Sequence, residues 1–336
     1  MRRDGHAAQD TRSVEFGVSL PSRGPLAKAR TLTRLAQKTE ALGFACVTVS
    51  DHVVLPTRTS SPYPYHPSGQ MPGGAQQDYL EPLVLMGWLL ASTRRLRVGA
   101  SVLVVPYRNP VVTAKQLAVL DVLSGGRVFV GCGTGWWPEE FEALQAPPFA
   151  ERGAVTDEYI RVMVELWTKD APAFEGKYYR IRDVTMLPRP VQTPHPPIWI
   201  GGHTAPAIRR AGELGDAWHP IGLRPPAGLT PDEYAEKARG VRGHAARVGR
   251  DPDAVRLTFR APLEVWPARG SKKHSRDVGP ALLRGPAVKV IQDIRTYQAA
   301  GVRSFVFDVV GQDLEDIVGT MERFAREVRP AVARRR

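Results

Sequence analysis

Residues 96–133, LRVGASVLVVPYRNPVVTAKQLAVLDVLSGGRVFVGCG, contain one complete repeat of the fold. The β-branched run LRVGASVLVV (96–105) predicts a strand buried on both faces. Asn109 falls at the N-cap position of the next helix, Pro110 sits in its first turn, and Gly125 stops it. RVFVGCG (127–133) then predicts the following strand. A strand, a helix and a second buried strand make one βαβ unit.

The unit recurs along the chain. VEFGVSL (14–20) predicts a first strand, and the helix over 26–43 carries Leu32, Leu35, Ala36, Thr39 and Leu42 at helical spacing before Gly43. In FACVTVSDHVVLP (44–56) a second strand runs into Ser50, Asp51 and His52. EPLVLMGWLLAS predicts a helix, and another follows at 151–168. PIWIGG (197–202), GDAWHP (215–220), VRLTFRAPL (255–263) and RSFVFDV (303–309) supply strands five to eight, with helices at 204–213, 231–247, 286–300 and 312–329. Eight such repeats predict the α/β class and a (β/α)8 TIM barrel, with insertions after strands 2, 4 and 7. The insertion over 170–197 reads as β-rich. A doubly wound sheet is the rival, but the first strand is followed by PSRGPL and not by a Gly-rich dinucleotide fingerprint. The expected organisation is a disordered leader (1–13), a single barrel domain (14–330) and a basic tail (331–336).

Composition limits the function classes. The chain has 336 residues, 43% of them hydrophobic, and no apolar run near the roughly 20 residues that cross a bilayer. The opening MRRDGHAAQDTRS lacks the apolar core of a secretory signal, which implies a cytoplasmic protein. Only two cysteines occur, Cys46 and Cys132, each inside an apolar run, so neither a disulfide framework nor a cysteine-type zinc site is expected. No metal is expected. The formal charge of +12 is concentrated in the termini and in SKKHSR, without interleaved aromatics, so neither nucleic acid nor membrane is the expected partner.

In a parallel barrel the chemistry collects where strands end. His52 follows strand two and reads as a general acid or base, although a structural histidine at a strand end is the competing reading. Asp51 beside it either contacts a bound ring or orients His52. GGHTAP (201–206), with Thr204 at an N-cap position, exposes backbone N–H groups suited to a phosphate, though Gly-Gly also makes an ordinary turn. GTGWWPEEF (133–141) puts Trp136 and Trp137 at the mouth. The helix dipole alone accounts for Glu139 and Glu140 there. Trp218 reads either as packing or as pocket wall. The long loops 56–80 and 264–285 would cover the mouth, with Tyr63, Tyr65, Met71 and Tyr79 toward a substrate.

Together VTVSDHV, VGASVLVVPYRNPVVTAKQLAVLDVLSGGRVFVGCGTGW, FEGKYYR, LPRPVQTPHPPIWIGG and RRAGELGDAWHP resemble the luciferase-like monooxygenase superfamily, and within it the branch that uses the deazaflavin coenzyme F420. The resemblance runs from about residue 15 to 325. It implies an oxidoreductase moving a hydride between F420 and a small organic substrate, by alcohol oxidation or by reduction of an activated C=C or C=N bond. His52 would be catalytic and handle the proton. By position, Asp51 matches an acid at the deazaflavin ring, and Ser101 and Val102 match a strand-three bulge, often with a cis peptide, behind it. Thr134 and Gly135 match a cofactor loop, and Gly201, Gly202, His203 and Thr204 match the phosphate site. Trp136 and Glu139 stand where the sugar-phosphate dehydrogenases of the branch have glutamate and asparagine, which argues against that activity; with Trp218 they are assigned to the substrate pocket. The alternatives are an FMN-dependent, oxygen-using monooxygenase served by a reductase partner, and a non-catalytic cofactor-binding barrel. A homodimer is expected.

Overall fold

The computed structural model describes residues 14–222, 227–267 and 282–333. The expected leader, the SKKHSR segment and the last residues of the tail lie outside that range. Eight parallel strands close into a barrel: β1 (Glu15–Ser19), β2 (Cys46–Val49), β3 (Arg97–Ala100), β4 (Val128–Gly133), β5 (Ile198–Gly201), β6 (Ala217–His219), β7 (Arg256–Val265) and β8 (Ser304–Val309). Each pairs with the next in sequence, and β8 returns to β1 with Phe16 opposite Phe305. The closed parallel order excludes the doubly wound sheet.

The helices α1 (Ala29–Ala41), α2 (Pro82–Ser92), α3 (Pro110–Ser124), α4 (Pro138–Ala143), α5 (Arg152–Thr168), α6 (Ala205–Leu214), α7 (Pro231–Arg247), α8 (Ala287–Ala299) and α9 (Leu314–Arg323) form the outer layer. Their ends follow local chemistry. Asn109 accepts from the N–H groups of Val111 and Val112 and caps α3, and Gly125 ends it in the left-handed region at φ 69°. Thr230 and Glu233 form a reciprocal capping box on α7.

Alternation along the strands builds two cores. Outward residues Phe16, Phe305 and Phe307 pack with Phe324 below α9, with ring centroids 5.0–6.0 Å apart. Inward residues Cys46, Phe129, Trp199, Ala217 and Val306 fill the lower barrel as a separate cluster. Both cysteines are buried, and burial pushes each thiol up to about 12. Gly131 is required where β4 passes β3, because a Cβ there would lie 2.0 Å from the carbonyl oxygen of Ala100.

Two expectations need correction. The third strand breaks: β3 ends at Ala100, the Ser101–Val102 peptide is cis, and Leu103–Val104 pairs with β4 separately. The insertion at 170–197 is mostly irregular, with one small hairpin pairing Phe174–Glu175 to Arg180–Ile181. Carboxylates replace strand partners there. Glu158 accepts from the N–H groups of Lys177, Tyr178 and Tyr179, and Asp121 from those of Val191 and Gln192.

Candidate functional site

A cavity of about 460 Å³ opens where the carboxyl ends of the strands converge. His52 and Asp51 reach it from β2, Ser101 and Val102 from the broken third strand, and Thr134, Gly135 and Trp136 from the end of β4. Gly201, Gly202, His203 and Thr204 reach it from β5. All nine positions assigned to cofactor therefore share one wall system with His52.

His52 is 7% exposed, and its Nδ1 lies 2.5 Å from Oε2 of Glu140. A carboxylate accepts, so Nδ1 carries a proton, and in the neutral ring the lone pair is then on Nε2. Nε2 makes no hydrogen bond to a described residue. Glu140 is fully buried and satisfied: Tyr107 Oη donates to it at 2.9 Å, and the N–H groups of Val53 and Val54 donate to Oε1 at 2.8 and 3.3 Å. Burial and the adjacent Glu140 carboxylate push the Tyr107 phenol up, which keeps it a donor. Rings of Tyr79, Trp137 and Trp136 stand edge-on to the imidazole at 5.1, 5.5 and 6.0 Å.

This corrects the reading of Glu140 as a dipole residue only. An acid at the third position of a helix is common for electrostatic reasons, and nothing local marks a bond to a residue 88 positions away. Asp51 does not orient His52. Its two oxygens take a bidentate bond from Arg108, at 2.7 and 2.9 Å, and the N–H of Val104 at 2.8 Å. Asp51 thus ties β2 to the segment after the bulge and presents a neutralised charge to the cavity.

Glu139 and Trp218 do not line the cavity. Glu139 holds the loop after β2, accepting from Ser60 N at 2.8 Å and Thr59 Oγ1 at 3.0 Å. Burial opposes its ionisation, but these donors bring its carboxyl down to about 2. Trp218 is fully buried outside the barrel, 4.8 Å from the ring of Tyr234, with Nε1 donating to the carbonyl of Gly202 at 2.8 Å. Two-residue alternation explains it: with Trp218 outward, His219 faces inward.

Beneath the bulge lies a polar floor with no local sequence signal. His219 Nε2 is 2.8 Å from Ser101 Oγ, and its Nδ1 is 2.6 Å from Thr258 Oγ1. Arg260 donates to the carbonyl oxygen of Ser101 at 2.5 Å and pairs with both oxygens of Asp308. Burial first, and Arg260 second, push the His219 imidazole down to about 3. The unfolded chain binds a proton near pH 6.5 that the folded chain refuses until about pH 3. Stability is therefore complete above about pH 6.5 and declines as pH falls toward 3, by on the order of 4 kcal/mol. His219→Gln should remove that component from the acid limb of stability measured by chemical denaturation; an unchanged limb would show that His219 accepts its proton normally.

The comparisons with known proteins fit this geometry. Over 165 residues, 48% of this chain and 45% of the relative, it is 37% identical to the FMNH2-dependent dimethylsulfone monooxygenase of Pseudomonas putida. Over 208 residues, 61% of this chain and 56% of the relative, it is 34% identical to the F420-dependent glucose-6-phosphate dehydrogenase of Amycolatopsis mediterranei. The chain thus spans about half the length of these curated relatives. Among solved structures, an F420-dependent secondary alcohol dehydrogenase in complex with an F420-acetone adduct superposes with a TM-score of 0.76 at 19% identity, over 95% of this chain and 99% of that one. That likeness concerns the barrel. A family model described as luciferase-like monooxygenase matches residues 14–304, and with the closed barrel this establishes that the chain belongs to the luciferase-like monooxygenase family.

Proposed function

We propose that the protein is an F420-dependent oxidoreductase that moves a hydride between the deazaflavin and a small organic substrate, with His52 exchanging the proton. The observation that carries the reading is the His52–Glu140 pair: one ring nitrogen is fixed by a buried carboxylate, and the other has no hydrogen-bond partner among the described residues and sits beside the cavity.

The residues fit such a cofactor. A Cβ at Gly133 would meet Val102 Cγ2 at 2.3 Å and one at Gly201 would meet Val102 Cγ1 at 2.7 Å, so only glycines allow these segments to close on the bulge. Gly135 and Gly202 adopt φ of 80° and 93°. Thr204 caps α6 without a side-chain bond, leaving the helix N-terminus available to a phosphate. Ser101 and Val102 would hold the ring, and Gly201 to Thr204 the phosphate.

When bound, the deazaflavin supplies two-electron hydride exchange at one ring carbon. The chain's own groups manage the rest. His52 Nε2 takes the proton of a substrate hydroxyl in the oxidising direction, or returns it in reduction. Glu140 keeps the proton on Nδ1 and stabilises the imidazolium. Trp136, Trp137 and Tyr79 shield the imidazole from water. The FMN reading rests on the Pseudomonas relative and would require reduced flavin delivered by a reductase.

Titration of the purified protein with F420 and with FMN, followed by ring fluorescence, separates the readings. F420 should bind at least tenfold more tightly. Binding of FMN alone would overturn the proposal, and binding of neither would favour a non-catalytic barrel.

A further inference from the structure

Among the described residues two guanidinium groups line the cavity, and their circumstances differ. Arg260 is neutralised by Asp308. Arg23 has no carboxylate partner among the described residues; its side chain donates only to the carbonyl of Pro72, at 3.2 Å. A cation at the cavity wall with no carboxylate beside it favours an anion that arrives with a ligand.

The position of Arg23 says which ligand. It follows β1, and in a closed barrel of eight sequential strands the β1 end lies across from the β5 end. The Gly201–Thr204 cradle is at the β5 end, so Arg23 is placed for a second anion. It is also near the His52–Glu140 pair. Arg23 forms a backbone bridge with Tyr79, whose ring stands 5.1 Å from that of His52.

The rest of this wall is aromatic. Tyr63 meets Tyr65 and Trp136 edge-on, at 5.4 Å in each case, and Trp136 stacks on Trp137 at 4.8 Å. Met71 adds a polarisable thioether. The one carboxylate on the wall among the described residues, Asp51, is neutralised by Arg108, so none of them invites a cationic substrate.

We propose that Arg23 is the anchor for a carboxylate on the substrate, a flat aromatic acid whose body is held by Tyr63, Tyr65, Met71 and Trp136; this rests on the reading of His52 and the cradle as the hydride-transfer site. Charge fixes one end of the molecule, and the rings select a planar body.

Benzoate, benzyl alcohol and benzylammonium are the probes, titrated into the F420-treated protein by calorimetry and separately by tryptophan quenching. Benzoate should bind at least tenfold more tightly than benzyl alcohol, and benzylammonium more weakly than either. Arg23→Gln should weaken benzoate about tenfold and leave benzyl alcohol unchanged, whereas Arg23→Lys should keep most of the preference. Both variants should retain the wild-type melting temperature and F420 affinity. Equal binding of benzoate and benzyl alcohol, or a loss of F420 affinity in Arg23→Gln, would overturn the anchor, the latter by assigning Arg23 to the cofactor. An Arg23-dependent benzoate preference in a protein that binds no F420 would leave the anchor standing and remove the hydride-transfer reading.

Discussion

Glu140→Gln should lower turnover by roughly 10²–10³-fold while F420 affinity stays within about threefold, because the loss falls on proton transfer. The substitution keeps the size of the side chain, and one amide oxygen can still accept from Val53 and Val54. The amide nitrogen then faces His52 Nδ1 as a donor. The imidazole is driven to the opposite tautomer, with the proton on Nε2 and no lone pair toward the cavity. His52→Ala should cost at least as much, again with F420 affinity retained within about tenfold, since His52 is assigned to the proton and not to docking. The double variant decides whether the two act as one unit. Steady-state kinetics should show almost no further loss beyond His52→Ala, as expected when one residue works only through the other. Multiplicative losses would mean that Glu140 supports the fold around the site and does not orient the imidazole. A solvent isotope effect on turnover that disappears in Glu140→Gln would add a readout that a purely structural role does not move.

What could be read from residues follows from the range over which each interaction acts. Strands and helices are set by periods of two and 3.6 and by caps within four residues, so the barrel order and the α3 boundaries at Asn109 and Gly125 were legible. Cavity positions were legible too, since in this fold a residue just past a strand end faces the mouth. The polar network was not. Glu140 reaches His52 across 88 residues, and Arg260 reaches Ser101 across 159. Neither distance leaves a local pattern. For Asp51 the residues left two roles open, a bound ring or His52, and the protein partner it takes is Arg108, 57 residues away. The irregular insertion was misread because Glu158 and Asp121 satisfy its backbone from outside.

The two tryptophans assigned together to the substrate pocket should part company when truncated. Trp218 is wholly enclosed, packed at a tilt against Tyr234 and bonded to the Gly202 carbonyl. Trp218→Ala leaves a cavity the size of an indole and an unpaired carbonyl, and should cost about 3–5 kcal/mol of stability. Trp218→Phe refills most of the volume but not the donor, so its cost should be near 1 kcal/mol. Because the lost bond ends on Gly202, this milder variant should also loosen F420 if the cradle holds its phosphate. Trp136 is only half-buried and contacts Tyr63 and His52 through ring edges. Its ring also lines the cavity, where one contact with a planar substrate, at roughly 0.5–1.5 kcal/mol, amounts to up to about tenfold in affinity. Trp136→Ala should therefore raise the substrate KM about tenfold, with stability falling by less than about 2 kcal/mol. Chemical-denaturation midpoints and KM values measured on both alanine variants give the crossed comparison. If Trp218→Ala shifted KM while leaving the midpoint in place, the outward placement of that ring, and with it the register of β6 against β5 and β7, would be wrong.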